Sequence, residues 1–389
     1  MCFFFEFDKI FRQISALEGH RDLYWMIMLF LLSPPLIFFS FQISRSNSLL
    51  EGSYFGITMM FHFITIFKMT IIRMTFGETQ NLMNYFNAHV FHRDDPVCYQ
   101  LRRKEYFITW KIFFAIGSYV TLNGLAHIFI SRPISPYIGI HSAEVRWFHY
   151  LVVQMVSISA LLHQSIYMTS ILIVSFLMHW FQVELKIVAT AFGMIFHDKP
   201  PRPLKKGQNS ERIRLQREEI HWTGIERRLI YCISRHGEIV ELIKQLRKIA
   251  QPIFFALGFY IVTTISTLIF VIIKDRHFNI LGVVHVVATI AEFYYYAHLI
   301  DDLDERNHMI ANALYAQNWA QHLRYSEGQF AKHYKSCKTM ILIAIMHSQR
   351  PFRFTCGGLY KMTLSVFTVL IETLYFAITF MFKTIKIKN

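Results

Sequence analysis

Charge is scarce in this 389-residue chain: 17% of its residues are Asp, Glu, Lys or Arg, against about 25% in a typical soluble domain. The charges stand in clusters, and the stretches between them stay apolar over about 20 residues, the length that spans about 30 Å of hydrocarbon. That excludes a soluble enzyme and a disordered scaffold. Cysteine is sparse too. Cys2, Cys98, Cys232, Cys337 and Cys356 form no CxxC and no zinc spacing, so neither a metal site nor a disulfide framework is expected. No Asn-x-Ser/Thr sequon occurs, which leaves sidedness to other signals. The 19 histidines include no HExxH, and the chain lacks a phosphate-binding Gly loop, a nucleophile elbow and paired carboxylates. Neither an enzyme nor a cofactor is expected. No secretory signal is visible either, because the apolar Met1–Phe7 is short and Asp8, Lys9 and Arg12 follow it.

What the chain does have is apolar surface: 53% hydrophobic residues and 38 phenylalanines, with mean hydropathy +0.32. The pattern predicts an all-α membrane protein with seven transmembrane helices at 23–43, 54–75, 107–130, 150–180, 253–273, 279–300 and 358–382. Pro34-Pro35 would kink the first. The fourth continues as a helical pattern to Phe196 before Pro200, Pro201 and Pro203 end it, so it should project from the bilayer as one rod. The net charge of +14 reads as the cytoplasmic excess of Lys and Arg rather than as a nucleic-acid footprint. The N-terminus and the 2–3, 4–5 and 6–7 loops together carry more than three times the Lys and Arg of the opposite side. That puts the N-terminus in the cytoplasm and the C-terminus outside.

This orientation is the reverse of a G-protein-coupled receptor. In the receptor orientation Cys98 and Cys232 would be free to form an extracellular disulfide. The end of span 3, however, reads Ser131-Arg132-Pro133-Ile134, and span 7 has no Asn-Pro-x-x-Tyr. With the N-terminus inside, Cys98, Cys232, Cys337 and Cys356 lie at or near the reducing side and are expected as free thiols. Residues 1–300 thus hold spans 1–6, 301–350 cytoplasmic helices, and 351–389 span 7 with a short outer tail. Within the first block, 199–219 carries three prolines and seven basic residues and reads as a disordered linker near the inner leaflet. Residues 220–252 follow as a long amphipathic helix, on which Leu229, Ile233, Ile239, Leu242 and Leu246 recur at helical spacing. Residues 303–335 read as one or two amphipathic helices and 337–348 as a short apolar one. With Trp319, Met340, Ile341 and Ile345, these helices would form an oligomerisation (anchor) domain with neighbouring subunits. The alternative is that they bury one another within a single subunit.

Polar residues inside spans are costly and so informative. Ser365, Thr368, Glu372, Tyr375, Thr379 and Lys383 make one stripe along an otherwise apolar span 7. The stripe suits a pore around a symmetry axis; a contact with a neighbouring helix is the other reading. Lys68, Arg73 and Lys111 are expected to snorkel from span ends. Glu292 is expected in a hydrogen bond between helices or a gating contact.

The C-terminal third carries a family resemblance. Ser348-Gln349-Arg350-Pro351 followed by Thr355-Cys356-Gly357-Gly358-Leu359-Tyr360-Lys361-Met362-Thr363-Leu364-Ser365-Val366-Phe367 resembles the signature of the insect odorant receptors. Ala313-Leu314-Tyr315 with Trp319 looks like that family's Ala-x-Tyr…Trp element. Cys232-Ile233-Ser234-Arg235-His236-Gly237-Glu238-Ile239 looks like its Cys-x-x-His-His-x-x-Ile helix. The resemblance covers roughly 225–383. Two departures stand out: Ala297-His298-Leu299-Ile300 replaces the family's Gly-Asn-Glu-Leu, and Leu374-Tyr375-Phe376-Ala377 replaces its Ser-Tyr-Ser-Tyr. The related gustatory receptors share the fold, but their Thr-Tyr…Gln-Phe ending is absent here.

The resemblance implies an odorant-gated, non-selective cation channel of four subunits, in which a tuning subunit works with a shared co-receptor subunit. It implies a place in the plasma membrane of olfactory sensory dendrites, among membrane lipid, with no nucleic-acid partner. Glu372, Tyr375, Thr379, Phe380, Lys383 and Thr384 would then line or flank the path of permeating cations, with Phe376 and Phe380 as an apolar constriction. The ligand pocket would lie in the outer halves of spans 2, 3, 4 and 6, lined by Met59, His62, Phe63, Tyr119, Asn123, Gln154, Met155, Ser159, His285 and Thr289. Such a lining suits a small, volatile, mostly apolar odorant with one polar handle. A metabotropic receptor acting through a G protein is the alternative of a different class.

Overall fold

The computed structural model describes residues 49–88, 95–130, 146–196, 210–275, 280–317, 319–323 and 330–388, with scattered helical positions between Met26 and Ser44. These residues form α1 (Leu49–Met74), α2 (Phe76–Ala88), α3 (Pro96–Ile130), α4 (Arg146–Gly193), α5 (Ser210–Asp275) and α6 (Ile280–Ala316). The short α7 (Trp319–His322) and α8 (Ala331–Ser348) follow. A hairpin of β1 (Thr355–Cys356) and β2 (Tyr360–Lys361) then leads into α9 (Leu364–Lys388). Among the described residues, three helices hold stretches long and apolar enough to cross a membrane, within Phe55–Met74, Leu162–Gly193 and Leu215–Thr267. In the last of these the charges stop at Lys248, so the apolar part follows Pro252. The expected span 1 falls largely outside the described residues.

The helices run on where the sequence pattern had suggested breaks. Helix α3 starts at Pro96, not at the first apolar residue near 107. Asp95 Oδ1 accepts the Val97 N–H at 2.8 Å, and proline at the first helical position loses no intrahelical bond. The expected rod from span 4 is present as the 48-residue α4. Helix α5 is a single 66-residue helix that passes through Pro252. It takes in 210–219, which had been assigned to the linker; no proline stands between Pro203 and Pro252 to stop a helix there. Residues 199–209 lie outside the described residues. Helix α6 likewise joins span 6 to the following amphipathic segment without interruption.

Span 7 departs in the other direction. Residues 358–363, expected as its first turns, belong to the hairpin, in which Thr355 pairs with Lys361 and Cys356 with Tyr360. Gly357 and Gly358 have φ of +58° and +83°, a left-handed conformation that glycine adopts without strain. The hairpin presses on α5 so closely that a Cβ on Gly258 would lie 2.1 Å from the Tyr360 hydroxyl.

The core centres on α4, which packs along α6 and α3, while α1 lies on α5 and α4. Val174, Leu177, Met178, Phe181, Leu185 and Phe192 are fully buried along it, each large aliphatic or aromatic side chain contributing about 1.5–3 kcal/mol. Helix α8 packs on α5 and α6. This packing corrects the oligomer reading at five of its nine residues. Leu229, Ile239, Leu246, Ile341 and Ile345 are buried within this one chain and have no surface left for a neighbour. Ile233, Leu242, Trp319 and Met340 are half-buried against the same core and keep part of their surface. The apolar residues that α5 and α8 leave exposed are others: Ile230, Tyr231, Leu342, Ile343 and Met346.

Candidate functional site

Three helices bring a buried ionic cluster together. Lys68 of α1 reaches Glu292 Oε1 of α6 at 2.8 Å, with the two side chains 0% and 5% exposed. Tyr167 of α4 donates its hydroxyl proton to Glu292 Oε2. The Lys68 ammonium also lies 3.5 Å from the centroid of the Tyr167 ring, a favourable place for a cation. The expectation for Lys68 is therefore corrected: it is sealed inside the bundle, because Glu292 supplies the opposite charge that makes burial tolerable. Glu292 does make the interhelical contact expected of it.

Toward the N-terminal ends of α1 and α4, the next polar layer is a pair of histidines. The rings of His62 and His163 are 4.1 Å apart and nearly perpendicular. Aromatic side chains enclose them. Phe39 lies 5.5 Å from His62, and Phe61 lies 5.5 Å from Tyr167 and 6.3 Å from Tyr260. Thr289, one turn before Glu292, is buried as well. This is a mostly apolar, aromatic layer of the bundle that carries imidazole, phenol and hydroxyl groups. Among the described residues no three His, Cys, Asp or Glu side chains are grouped as a metal would need.

The structure sorts the residues expected at the pocket. His62 stands in this layer, and Thr289 is buried one turn before Glu292. Met59 is half-buried and accepts from the Ser40 hydroxyl at 3.3 Å. Phe63 is 55% exposed and points out of the bundle, since one residue along a helix from His62 turns about 100° away. The side chains of Tyr119, Asn123, Gln154, Met155, Ser159 and His285 lie outside the described residues. Sequence reasoning missed Phe39, Phe61, His163, Tyr167 and Lys68. The available signal was a lysine and a histidine, Lys68 and His62, together in the middle of one apolar run.

The second functional element is α9, which touches the rest of the chain chiefly through α6. Phe367 stacks on Phe293 at 6.0 Å and meets Tyr294 edge-on at 5.3 Å, while Leu370 and Leu374 pack behind it. The other face carries the stripe expected from the sequence. Glu372 and Lys383 are exposed, and Tyr375, Phe376 and Phe380 are 65%, 68% and 71% exposed. Thr379 is half-buried and gives its hydroxyl proton to the Tyr375 carbonyl at 2.8 Å. The Thr384 side chain lies outside the described residues.

The start of α9 is tied to α6 by carboxylates. Asp301 Oδ2 accepts the Leu364 N–H at 3.0 Å, and Asp304 Oδ1 accepts the Phe352 N–H at 2.8 Å. Burial pushes the Asp304 carboxyl up, partly offset by that hydrogen bond. Asn307 extends the link, accepting from His236 Nε2 at 2.8 Å and donating to the Arg350 carbonyl at 3.2 Å. These hydrogen bonds tie the stretch of α6 that follows Glu292 to the root of α9. The four described cysteines are buried free thiols. Burial pushes Cys98 and Cys356 up to about 11 and Cys232 and Cys337 up to about 12, so they are poor nucleophiles at neutral pH.

The 7tm Odorant receptor family profile matches residues 46–375, most of the chain. The chain belongs to the 7tm Odorant receptor family. It is thus an odorant receptor and a membrane protein. The insect olfactory receptor OR5 from Machilis hrabei has a similar fold, with a TM-score of 0.73 at 11% identity, covering 93% of this chain and 89% of that one. The same receptor in complex with eugenol gives 0.71 at 11% identity, covering 95% and 90%. No curated protein matches the sequence.

Proposed function

We propose that this receptor is the odorant-tuning subunit of a ligand-gated, non-selective cation channel, formed as a heterotetramer with a shared co-receptor subunit. It spans the membrane seven times, with the N-terminus cytoplasmic and the C-terminus outside, in the dendritic membrane of olfactory sensory neurons. The observation that carries the reading is the two-sidedness of α9: one face packs on α6, while the other presents Glu372, Tyr375, Phe376, Phe380 and Lys383 outward. A charged and aromatic stripe of that kind is costly against lipid and suits a water-filled path shared with sister subunits. The exposed Ile230, Tyr231, Leu342, Ile343 and Met346 are the anchor-domain contacts to neighbouring subunits.

The odorant binds at the aromatic layer above the Lys68–Glu292 pair, where His62, His163 and Thr289 offer the polar handle. The complex of the Machilis receptor with eugenol, a small aromatic phenol, supports a ligand of that size. A ligand that prefers the open arrangement of α1, α4 and α6 pulls on α9 through Asp301 and Asp304. The test is expression with and without the co-receptor. Odorant-evoked current within milliseconds in a nucleotide-free patch, present only in the pair, is the expected result; a strict requirement for GTP overturns it.

A further inference from the structure

A recess opens between α3, α4 and α6. It is walled by Tyr106, Trp110 and Phe113 of α3, Leu172 and Phe176 of α4 and Tyr295 of α6, a narrow apolar slot open along one side. Phe176 follows Tyr167 by nine residues along α4, about 13 Å of helix rise, while Tyr295 follows Glu292 by one turn of α6, so the recess lies beside the Lys68 cluster on its C-terminal side. Its walls are held by edge-on rings, with Trp110 at 6.3 Å from Tyr106 and 5.2 Å from Phe113. The flanking surface is apolar: Phe107 and Phe114 of the same helix are 48% and 73% exposed. The mouth therefore opens sideways among side chains that belong in hydrocarbon.

One turn before Tyr106, the chain reads Arg102-Arg103-Lys104. The three bases are used differently. Arg102 turns inward to Glu184 at 2.9 Å, whereas Arg103 and Lys104 are exposed and Arg103 lies 5.7 Å from the Phe107 ring centroid. Glu105, on the same turn, is half-buried on the side of His179. From Arg103 to Phe113 is ten residues, about 15 Å along the helix, which is the hydrocarbon depth of one leaflet. A basic head, an aromatic belt and a lateral apolar slot follow one another along that length.

We propose that the recess between α3, α4 and α6 binds an anionic phospholipid, one acyl chain lying along Trp110 and Phe113 and the phosphate held by Arg103, which stands two turns above Trp110 on the same line of α3. Basic positions at the end of a span attract anionic headgroups, and interfacial Trp and Tyr sit at headgroup depth. The inference rests on α3 as a span of the proposed topology. Its test does not require channel activity or a particular orientation, because both leaflets of the test vesicle carry the same lipid.

The full chain is reconstituted into phosphatidylcholine vesicles containing a tenth of either phosphatidylserine or phosphatidylcholine brominated on the acyl chain. The Trp110 signal is the difference between wild type and Trp110→Phe. Quenching by the brominated phosphatidylserine should exceed that by the phosphatidylcholine at least threefold. Arg103→Gln should bring the two lipids to the same level. Should that variant fail to fold, raising salt from 0.1 to 0.5 M on the wild type should shrink the difference instead. Leu172→Phe, which fills the slot, should reduce quenching by both lipids. Equal quenching by the two lipids in the wild type, or quenching by neither, overturns the proposal. An odorant current that survives in the co-expressed pair despite that result would leave the channel reading standing alone.

Discussion

Two carboxylates in this receptor each serve two donors, and they do so under opposite conditions. Glu292 holds one cation, Lys68, and one neutral phenol, Tyr167, in a site where all the partners are enclosed. Glu184 of α4 holds two cations, Arg102 of α3 at 2.9 Å and Arg235 of α5 at 3.4 Å. Arg235 then passes the chain of contacts to Tyr85 and to Glu238, whose side chain is 49% exposed. The first cluster is closed and stoichiometric; the second runs outward to solvent. A closed cluster has nothing to replace a lost partner, whereas an open one can recruit water or the carboxylate next door. The first therefore fixes how α1, α4 and α6 meet, and the second tolerates adjustment where α2, α3, α4 and α5 converge.

The largest expected effect follows from breaking the closed cluster. Lys68→Met leaves Glu292 buried without its cation and should cost about 3–5 kcal/mol. Adding Glu292→Met should recover a large part of that cost, since the pair then vanishes together. Thermal unfolding of the detergent-solubilised receptor reads both. If the double variant is as unstable as the sum of the single ones, the two groups are not energetically coupled.

A smaller effect is expected at the open cluster. Glu184→Gln keeps the shape but removes the charge shared by Arg102 and Arg235, and should cost about 1–3 kcal/mol. Glu238 and water take up part of the loss. A cost equal to that of Lys68→Met would erase the distinction between the two sites. Asp301→Ala sharpens it from another side, because this acid serves a neutral backbone N–H at the start of α9 rather than a cation. About 0.5–2 kcal/mol is expected from the lost cap. In the co-expressed channel the variant should also change odorant potency while leaving unitary conductance unchanged.

The ease of reading these features from sequence differed for physical reasons. The stripe on α9 was legible because polar residues at helical spacing in an apolar segment stand out whatever surrounds them. Glu372, Tyr375, Phe376, Phe380 and Lys383 are accordingly all exposed. Lys68 was misread because snorkelling and burial look alike in one helix; only Glu292, 224 residues away, decides between them. The five buried oligomer residues were misread on a related point. An amphipathic face predicts burial but not by what, and α5, α6 and α8 bury one another first. The start of span 7 was misplaced because hydropathy outweighed the Gly357-Gly358 pair, whose positive φ values turn the chain into a hairpin.

The smallest expected effect concerns pH, and it arises from the region beyond the spans. His236 is 4% exposed, with its ring nitrogen bonded to Asn307 and His347 nearby; burial holds it below the ordinary histidine value of 6.5. In the folded receptor it therefore binds fewer protons than in the unfolded chain. Its contribution to stability is complete above pH 6.5 and is lost as pH falls from there toward its lowered folded value, at no more than about 1.4 kcal/mol per pH unit. Glu226 acts in a different window. Hydrogen bonds from Ser336 at 2.7 Å and His333 at 2.8 Å hold it below 4.5, so its contribution is present above pH 4.5 and is lost only as pH falls further. Between pH 7.5 and 5.5 the melting temperature of the wild type should fall. In His236→Gln, whose amide still donates to Asn307, the fall should be shallower. Equal slopes in the two proteins over that range would mean that another group carries the acid sensitivity.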